Sequence, residues 1–326
     1  MLDFTTILLY IVVLVAICLT LMLAVIHLTS TAYPNLARYK SEEFFKDPKN
    51  GGTSVLFSSI DDVPTKELSI VVPAYCEEER LPVMLDECLE CLEDRFAGEP
   101  QFSYEVIVVD DGSPDKTSEV ALAYSQSYGT DKVRVLTLEK NRGKGGAIRL
   151  GVFSARGKMI LFADADGATN FQDLSKLEDK MKHLIGDKKD SCAVVCGSRA
   201  HLQKDSIAER SLFRTFLMYG FHFLVWFLCV RGIKDTQCGF KLLTRNAAKI
   251  LFSNLHVERW AFDVDMLYIA QHFNMAIGEV AVRWTEIDGS KMIAVWSWLQ
   301  MGRDILLIRL RYFLGSWKID NKVKLD

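Results

Sequence analysis

Short apolar runs rich in β-branched residues alternate with segments of helical periodicity from residue 68 to residue 196. The first run is Leu68–Val72, and helical spacing follows over Glu78–Asp94. The later runs and helical segments are, in order, Tyr104–Val109, Lys116–Tyr128, Val133–Leu138, Gly145–Arg156, Met159–Ala163, Gln172–Ile185 and Cys192–Cys196. Strands that alternate with helices pair in parallel and are covered on both faces. The sequence therefore predicts an α/β fold with a mostly parallel sheet and helices on both sides.

Polar clusters follow four of these predicted strands. In an open parallel sheet, ligands bind beyond the carboxyl ends of the strands. The clusters are acidic, glycine-rich or otherwise polar, and they occupy residues 73–79, 110–115, 140–146 and 164–170. Because all four belong to the same edge of the predicted sheet, we expect the binding site there.

Asp164 and Asp166 follow the fourth predicted strand. Two carboxylates at this spacing can both face a hard cation, and Mg²⁺ bound in this way keeps room for phosphate oxygens. A solvated turn is the alternative. Thr169 stands where a calcium loop needs glycine, and Ala168 stands where an aspartyl-phosphate phosphatase needs threonine. The pair is a candidate site for Mg²⁺ or Mn²⁺, between which the sequence does not decide.

The residues NRGKGGA, at 141–147, follow the third predicted strand and begin a helix. Glycines let the backbone approach a phosphate, the helix amino end favours an anion, and Arg142 or Lys144 adds positive charge. The loop is not a Walker loop, and Ile148 stands where the dinucleotide fingerprint needs glycine. It is therefore a candidate phosphate-binding loop of another kind.

The clusters at residues 73–79 and 110–113 each have both a binding and a structural interpretation. In the first cluster, Tyr75 could stack on a nucleobase. In the second, Asp110 or Asp111 could accept hydrogen bonds from a base or a ribose. Capping of the following helices accounts for the same residues.

Basic and acidic residues in the second half of the chain are also candidates. Arg199, Arg210 and Arg214 could bind a phosphate-bearing acceptor, or they could be solvated helix charges. Asp235 is a candidate catalytic residue, and Asp263 and Asp265 are the alternatives, for which helix capping is the structural explanation.

The amino terminus is strongly apolar. No Asp, Glu, Lys or Arg occurs from Phe4 to Ala37, and a helix that spans a bilayer needs about 20 apolar residues. A cleaved signal peptide has a shorter apolar region, about 7–15 residues, with positive charge before it, whereas Asp3 stands here. Residues 1–37 are therefore predicted to be an uncleaved anchor. Arg38 and Lys40 follow it, so the positive-inside tendency puts the rest of the chain in the cytosol.

The remaining boundaries follow from composition. Residues 38–66 are polar with Gly and Pro and are interpreted as a linker, followed by a catalytic domain over 67–290 and a carboxy-terminal part over 291–326. Leu217–Val230 is aromatic but too short to span a bilayer comfortably. Met292–Trp317 mixes Trp with Arg, which favours an amphipathic helix at the membrane interface; core packing is the alternative.

Charge and cysteine content exclude some classes. A net charge of -3 gives no support for a nucleic-acid partner. The eight cysteines are scattered and lack paired metal-ligand spacing, so we expect free thiols, which fit a reducing compartment. The oligomeric state, including a homo-oligomer, is left open.

Six segments occur in a characteristic order: VVPAYCEEE, VVDDGSPD, KNRGKGGAIRLG, FADADG, GSR and DTQCGFK. Together they resemble the inverting glycosyltransferases of family 2, which have the Rossmann-like GT-A fold. The resemblance runs from about Leu68 to Trp284. With a single amino-terminal anchor, the chain is most similar to members of the family that glucosylate a lipid phosphate at the endoplasmic reticulum.

The resemblance implies UDP-glucose as donor, dolichyl phosphate as acceptor and the cytosolic side of the endoplasmic-reticulum membrane as location. Asp164 and Asp166 would hold the metal and the diphosphate, Lys144 would neutralise the leaving diphosphate, and Asp235 would lie near the reacting centre. The residues implied for the nucleotide are Pro73, Ala74, Tyr75, Glu77 and Asp110 or Asp111, and those for the acceptor phosphate are Arg199, Arg210 and Arg214.

Three alternatives stay open. One is mannose transfer from GDP-mannose, or transfer to a bacterial undecaprenyl phosphate. Another is a polysaccharide synthase, although the QxxRW motif and further spans typical of that class are not evident. The third is a catalytically silent protein that binds a nucleotide sugar.

Overall fold

The computed structural model describes residues 3–186, 191–202, 220, 224–287 and 294–321. The strands are β1 Phe44–Asp47, β2 Thr53–Leu56, β3 Lys66–Ala74, β4 Tyr104–Asp110, β5 Val133–Thr137, β6 Gly157–Ala163, β7 Ala193–Ser198, β8 Phe240–Thr244 and β9 Ala276–Ala281. The α-helices are α1 Phe4–Leu28, α2 Leu81–Gly98, α3 Thr117–Tyr128, α4 Lys144–Phe153, α5 Leu174–Ile185, α6 Arg245–Asn254, α7 Phe262–His272 and α8 Ala294–Phe313.

The main sheet has seven strands in the order β5-β4-β3-β6-β8-β7-β9. Strands β5, β4, β3 and β6 are parallel, whereas β8 runs antiparallel to both β6 and β7. The predicted α/β fold with a mostly parallel sheet is confirmed. The sequence pattern missed β8 and β9, because Lys241 interrupts the apolar run of β8 and Gly278-Glu279 interrupts that of β9.

Helices pack on both faces of this sheet, and the side chains of β3 alternate between them. Ile70 and Val72 belong to the core cluster that includes residues of α2 and α5, whereas Val71 belongs to the cluster that includes residues of α4, α6 and α7. Gly151 of α4 is packed tightly against the second face, because a Cβ there would lie 2.4 Å from Val71 Cγ1. The alternation follows from the two-residue period of a strand.

Residues 38–66, interpreted from composition as a linker, contain ordered structure. A 3-10 helix at Lys40–Glu43 leads into the antiparallel pair β1–β2. Phe45, Phe57 and Ile60 are buried in the core of the domain, and the buried carboxylate of Glu42 pairs with Arg142 at 2.9 Å. Only a few apolar residues of this segment pack into the core, and the rest of it is polar or glycine-rich. Its composition therefore did not indicate that it is folded.

Helix α1 is long and apolar enough to cross a membrane by length and composition, and none of its hydrophobic window is buried by the protein. Asp3 caps its amino end by accepting a hydrogen bond from the Thr6 amide at 2.8 Å. The chain then lies against the domain, where the Lys318 amide donates to the Ala32 carbonyl at 2.8 Å. The structure thus has an exposed apolar helix that leads directly into a folded domain.

Helix α8 has one buried face and one exposed face. Met301, Ile305 and Ile308 lie in the core, whereas Leu306 and Phe313 are exposed. The helix therefore packs on the domain and leaves an outer apolar and basic surface. Of the predicted aromatic segment 217–230, residues 217–219 and 221–223 lie outside the part that the structure describes.

None of the eight cysteines forms a disulfide bond, so all are thiols, as expected from their scattered positions in the sequence.

Candidate active site

A cavity of about 530 Å³, here called the rim cavity, is lined by residues that follow β3, β4 and β6 and by the first turn of α4. It brings together most of the residues that the sequence singled out. These are Pro73, Ala74, Tyr75, Glu77, Asp111, Lys144, Asp164, Asp166 and Arg199. The carboxyl edge of the parallel strands is therefore where these side chains meet, as expected for an open α/β sheet.

Asp164 lies directly after β6 and faces Lys144 of α4. The Lys144 ammonium is 2.5 Å from Asp164 Oδ1, and the Asp164 amide donates to the Gly239 carbonyl at 3.1 Å. The carboxylate is packed against Gly239, since a Cβ added there would lie 2.1 Å from Asp164 Oδ2. Glycine at 239 thus leaves the space that this carboxylate occupies.

The pKa of Asp166 is raised above its ordinary value. Burial is the larger cause, and the negative charge of Asp164 is the second. Asp166 Oδ1 accepts a hydrogen bond from the Ala168 amide at 3.0 Å. Two carboxylates whose charges repel each other favour a nearby cation. In the part of the chain that the structure describes, no group of three or more His, Cys, Asp or Glu side chains could hold a metal ion. The pair fits Mg²⁺ or Mn²⁺ only if substrate phosphates and water complete the coordination.

The amino end of α4 is shaped by Asp111, which follows β4. Asp111 Oδ1 accepts from the Arg142 amide at 2.7 Å, and Oδ2 accepts from the Gly143 amide at 2.8 Å. Burial raises the pKa of Asp111 to about 6. Burial alone would lower the pKa of Lys144, but the carboxylates of Asp164 and Asp263 raise it above the ordinary value. The helix end therefore presents a charged ammonium at the cavity, which suits a phosphate, while Asp111 already binds the amides of residues 142 and 143.

Asp110, the neighbour of Asp111, is not among the residues that line the rim cavity. Its carboxylate accepts hydrogen bonds from the Ser113 amide at 3.0 Å and from the Ser118 hydroxyl. Consecutive residues at the end of a strand point to opposite faces. The structure thus separates the two acidic residues, with Asp111 at the cavity and Asp110 in the support of the loop.

The loop after β3 presents an aromatic ring and an ion pair. Tyr75 is 41% exposed at the cavity. Glu77 pairs with Arg80, and Arg80 Nη2 lies 2.6 Å from Glu77 Oε1. Arg80 also lines the cavity and was not singled out in the sequence. Its position three residues after Glu77, at the start of α2, is the signal that could have found it.

Asp235 is bound to Arg199 and is not among the residues that line the cavity. Arg199 Nε donates to Asp235 Oδ2 at 2.8 Å, and Nη2 donates to Oδ1 at 3.0 Å. Burial opposes ionisation of Asp235, but the hydrogen bonds and charge of Arg199 hold its pKa below the ordinary value. Asp235 therefore stays ionised and orients Arg199, whose side chain lines the cavity. Arg210 and Arg214 lie outside the described residues.

Asp263 and Asp265 have different environments. Asp263 lines the rim cavity and pairs with the fully buried Lys241 ammonium. Asp265 is buried away from that pair and accepts hydrogen bonds from the His256 amide at 2.8 Å and the Tyr312 hydroxyl at 2.8 Å. Of the two alternatives to Asp235, Asp263 thus faces the site, and Asp265 holds neighbouring segments together.

Two tryptophans complete the far wall of the cavity. The Lys144 ammonium lies 5.9 Å from the centre of the Trp260 ring, and the Arg199 guanidinium lies 5.5 Å from that of Trp284. Neither tryptophan was predicted from the sequence as a site residue. No local pattern marks them, because Trp260 lies before α7 and Trp284 after β9, and only the fold brings them to the cavity.

A GT-A fold with paired carboxylates, a lysine at a helix amino end and an arginine in one cavity is that of a glycosyltransferase. The family model described as Glycosyl transferase family 2 matches residues 69–252. The chain belongs to this family.

Named relatives match over almost the whole chain. Dolichyl-phosphate beta-glucosyltransferase from Homo sapiens is 60% identical over 313 residues, which cover 96% of each chain. The protein of that name from Saccharomyces cerevisiae is 40% identical and covers 78% of this chain and 77% of its own. Mannosyl-3-phosphoglycerate synthase from Rubrobacter xylanophilus has a solved structure with a TM-score of 0.50, at 16% identity, covering 76% of this chain and 74% of that one. This last likeness concerns the fold alone.

Proposed function

We propose that the protein transfers glucose from UDP-glucose to dolichyl phosphate and forms a β-linked glucosyl phosphate lipid. The observation that carries the proposal is the 60% identity over 96% of the chain to a protein named for this activity. The rim cavity supports it, because Asp164, Asp166, Lys144 and Arg199 all line it.

The proposal assigns the donor to the loops after β3 and β4. Tyr75 would stack on the base, with Pro73 and Ala74 beside it, and Glu77 and Asp111 would bind the base or the ribose. Asp111 already organises the backbone of residues 142 and 143. The diphosphate would then reach the amino end of α4, where Lys144 adds a positive charge.

Asp164 and Asp166 are the residues that would hold Mg²⁺ or Mn²⁺. The bound cation would supply positive charge to the leaving diphosphate. Lys144 contributes in the same direction, since its ammonium lies beside Asp164 and its raised pKa keeps it protonated. Gly239 holds the space in which the Asp164 carboxylate lies.

The acceptor in this proposal needs little help from a general base. A phosphate monoester has a second pKa near 6, so its oxygen is already ionised at neutral pH. Catalysis then depends on placing that oxygen in line with the bond to the leaving diphosphate. Arg199, with Arg210 and Arg214, would receive the phosphate, and Asp235 would orient Arg199. Direct attack from the opposite side converts an α-linked donor into a β-linked product.

The location is proposed from the anchor and the relatives. Helix α1 would cross the endoplasmic-reticulum membrane, with the domain on the cytosolic side. The exposed side of α8, which includes Leu306, Phe313 and Arg303, would face the bilayer surface. This arrangement brings a membrane-embedded acceptor and a water-soluble donor to one domain.

The test is transfer by the full-length protein in detergent with dolichyl phosphate and Mg²⁺. Radiolabelled UDP-glucose and GDP-mannose are supplied in parallel, each with and without a chelator. We expect labelled lipid from UDP-glucose alone, and none with chelator. Mannosyl lipid would overturn the donor, whereas absence of lipid product from both donors would overturn the transferase activity.

A further inference from the structure

A second cavity, of about 790 Å³, lies at the foot of α1 and is called the foot cavity here. Residues directly after α1 form one wall, from Thr29 to Tyr39, and residues of the domain form the others. Asn141 and Arg259 line both this cavity and the rim cavity. The two cavities are therefore neighbours with different linings.

Positive side chains dominate the lining of the foot cavity. Among the described residues, the cations that line it are Arg38, Lys140, Arg142, Arg149, Arg259 and Arg311, and the one carboxylate is that of Glu258. The whole chain, in contrast, has a net charge of -3. Positive charge is thus concentrated in one cavity of a weakly acidic protein, which favours an anionic ligand.

Three of these arginines have a buried nitrogen without a partner. The Nε atoms of Arg38, Arg149 and Arg311 make no hydrogen bond within the part of the chain that the structure describes. Arg149 is only 2% exposed. An unsatisfied buried donor costs free energy, and this cost is removed when the guanidinium groups turn towards an acceptor, such as a phosphate oxygen, in the cavity.

The carboxylates nearby leave part of the positive charge uncompensated. Glu258 pairs with Arg149 at 2.6 Å, and Glu42 pairs with Arg142 at 2.9 Å. Arg38 instead donates to the Ser154 hydroxyl at 2.8 Å. Neither Arg38 nor Arg311 makes an ion pair with a described residue, so both guanidinium charges are available to an anion.

The position of the foot cavity identifies the source of that anion. Its lining begins one residue after α1 ends at Leu28. The segment is fixed to the domain, because the His27 ring hydrogen-bonds to the Ser316 hydroxyl at 2.8 Å and the Lys318 amide to Ala32. When α1 spans a bilayer, the cavity therefore lies at the level of the lipid head groups, where basic pockets bind anionic lipids.

We propose that the foot cavity binds the phosphate head group of a membrane lipid. Two lipids carry this chemistry: an anionic phospholipid of the bilayer and a polyprenyl phosphate. Either one would satisfy the free Nε atoms and fix the domain against the membrane surface. The proposal does not rest on the transferase activity, since it concerns binding at residues outside the paired carboxylates.

The experiment measures lipid retention by the full-length protein in detergent, using native mass spectrometry. The probes are phosphatidic acid, dolichyl phosphate and, as the zwitterionic control, phosphatidylcholine. The test variant is the double substitution Arg38→Gln with Arg311→Gln. The control is Lys182→Gln, which removes one positive charge from a 74% exposed side chain of α5. Arg311→Lys retains the charge, and the thermal midpoint of each variant reports its fold.

We expect the wild type to retain phosphatidic acid or dolichyl phosphate in preference to phosphatidylcholine. The double variant should lose roughly 20- to 30-fold in affinity, as for two charges near a lipid head group, whereas Lys182→Gln and Arg311→Lys should change it less than about threefold. Loss for phosphatidic acid identifies a bilayer lipid, and loss for dolichyl phosphate alone identifies the polyprenyl lipid. No preference in the wild type, or equal retention by the double variant and Lys182→Gln, would overturn the proposal.

Discussion

The two walls of the rim cavity come from different halves of the chain. The first wall follows the parallel strands β3, β4 and β6 and carries Asp111, Asp164 and Asp166. The second wall carries Arg199, directly after β7, Trp284, after β9, and Trp260 and Asp263 near the start of α7. The first wall has paired carboxylates and a helix amino end, whereas the second has a guanidinium, aromatic rings and one carboxylate that is paired with Lys241.

From this difference we propose a separate substrate for each wall. Carboxylates that can share a cation, together with a helix amino end, suit a nucleotide diphosphate. An arginine held by a buried carboxylate suits a phosphate monoester, because its fork is already oriented. Variants of the first wall should therefore impair the donor and the chemical step, and variants of the second should impair the acceptor.

The largest effect is expected at Asp166 of the first wall. Asp166→Ala should lower kcat by about a thousandfold, because the proposed cation loses one of its two carboxylates. The control is Asp179→Ala, which removes an exposed carboxylate from α5 and should leave kcat unchanged. Steady-state transfer rates at saturating substrates provide the measurement. Activity near that of wild type in Asp166→Ala would remove Asp166 from the metal site.

A smaller loss of kcat is expected at Gly239, which packs against Asp164 and so joins the second half of the chain to the first. Gly239→Ala places a Cβ 2.1 Å from Asp164 Oδ2, so the carboxylate must move. A displacement of this kind costs about a hundredfold in kcat. Gly98→Ala is the matched control, since nothing lies within 4 Å of the Cβ added there. Equal activities of the two variants would contradict the close packing of Gly239 against Asp164.

The second wall is tested by Asp235 and Arg199 together. Arg199→Ala should raise the KM for dolichyl phosphate roughly 10- to 100-fold, as for a lost hydrogen bond to a charged group. Asp235→Asn should have a smaller effect in the same direction, because Arg199 remains but is less well oriented. The donor KM should change little in both, and the thermal midpoint reports any loss of folding.

The pH profile of Asp235→Asn distinguishes orientation from base catalysis. If Asp235 only orients Arg199, the variant keeps the wild-type pH dependence of kcat. Loss of the acidic limb together with a collapse of kcat would instead make Asp235 the base.

The smallest effect concerns Asp111 and pH. The pKa of Asp111 is raised to about 6, so its carboxylate is protonated below that pH and can no longer accept both amides. We expect the affinity for UDP-glucose to fall a few-fold as the pH drops from about 7 to about 5. Calorimetric titration of the protein with UDP-glucose, without acceptor, measures this affinity at each pH. A flat profile in wild type, or an unchanged profile in Asp111→Asn, would exclude Asp111 as the titrating group.

The stability of the fold depends on the protonation of Asp111 in the opposite direction to the affinity for UDP-glucose. Because the pKa of Asp111 in the folded protein lies above the ordinary aspartate value of 3.8, this carboxyl stabilises the fold most below pH 3.8. Its contribution is lost as the pH rises through about 6.

The two walls also differ in how far the sequence revealed them. The parallel strands of the first wall are short and apolar, and each ends in a polar cluster, so periodicity located both the strands and the edge. The sequence could not separate Asp110 from Asp111, because adjacent residues at a strand end differ only in the face to which they point.

The second wall was less predictable for physical reasons. Lys241 sits inside β8 as a fully buried charge, tolerated because Asp263 pairs with it. A buried charge breaks the apolar pattern on which strand prediction depends. Trp284 lies 85 residues after Arg199 in the sequence, and only the fold brings its ring 5.5 Å from the guanidinium.

The most direct test of this account is the anomeric configuration of the lipid product, measured by NMR after transfer from UDP-glucose. In a single in-line displacement, the acceptor phosphate oxygen attacks the anomeric carbon as the diphosphate leaves, and the configuration inverts. We therefore expect a β-linked glucosyl phosphate. An α-linked product would contradict this mechanism, because one in-line displacement cannot retain the configuration.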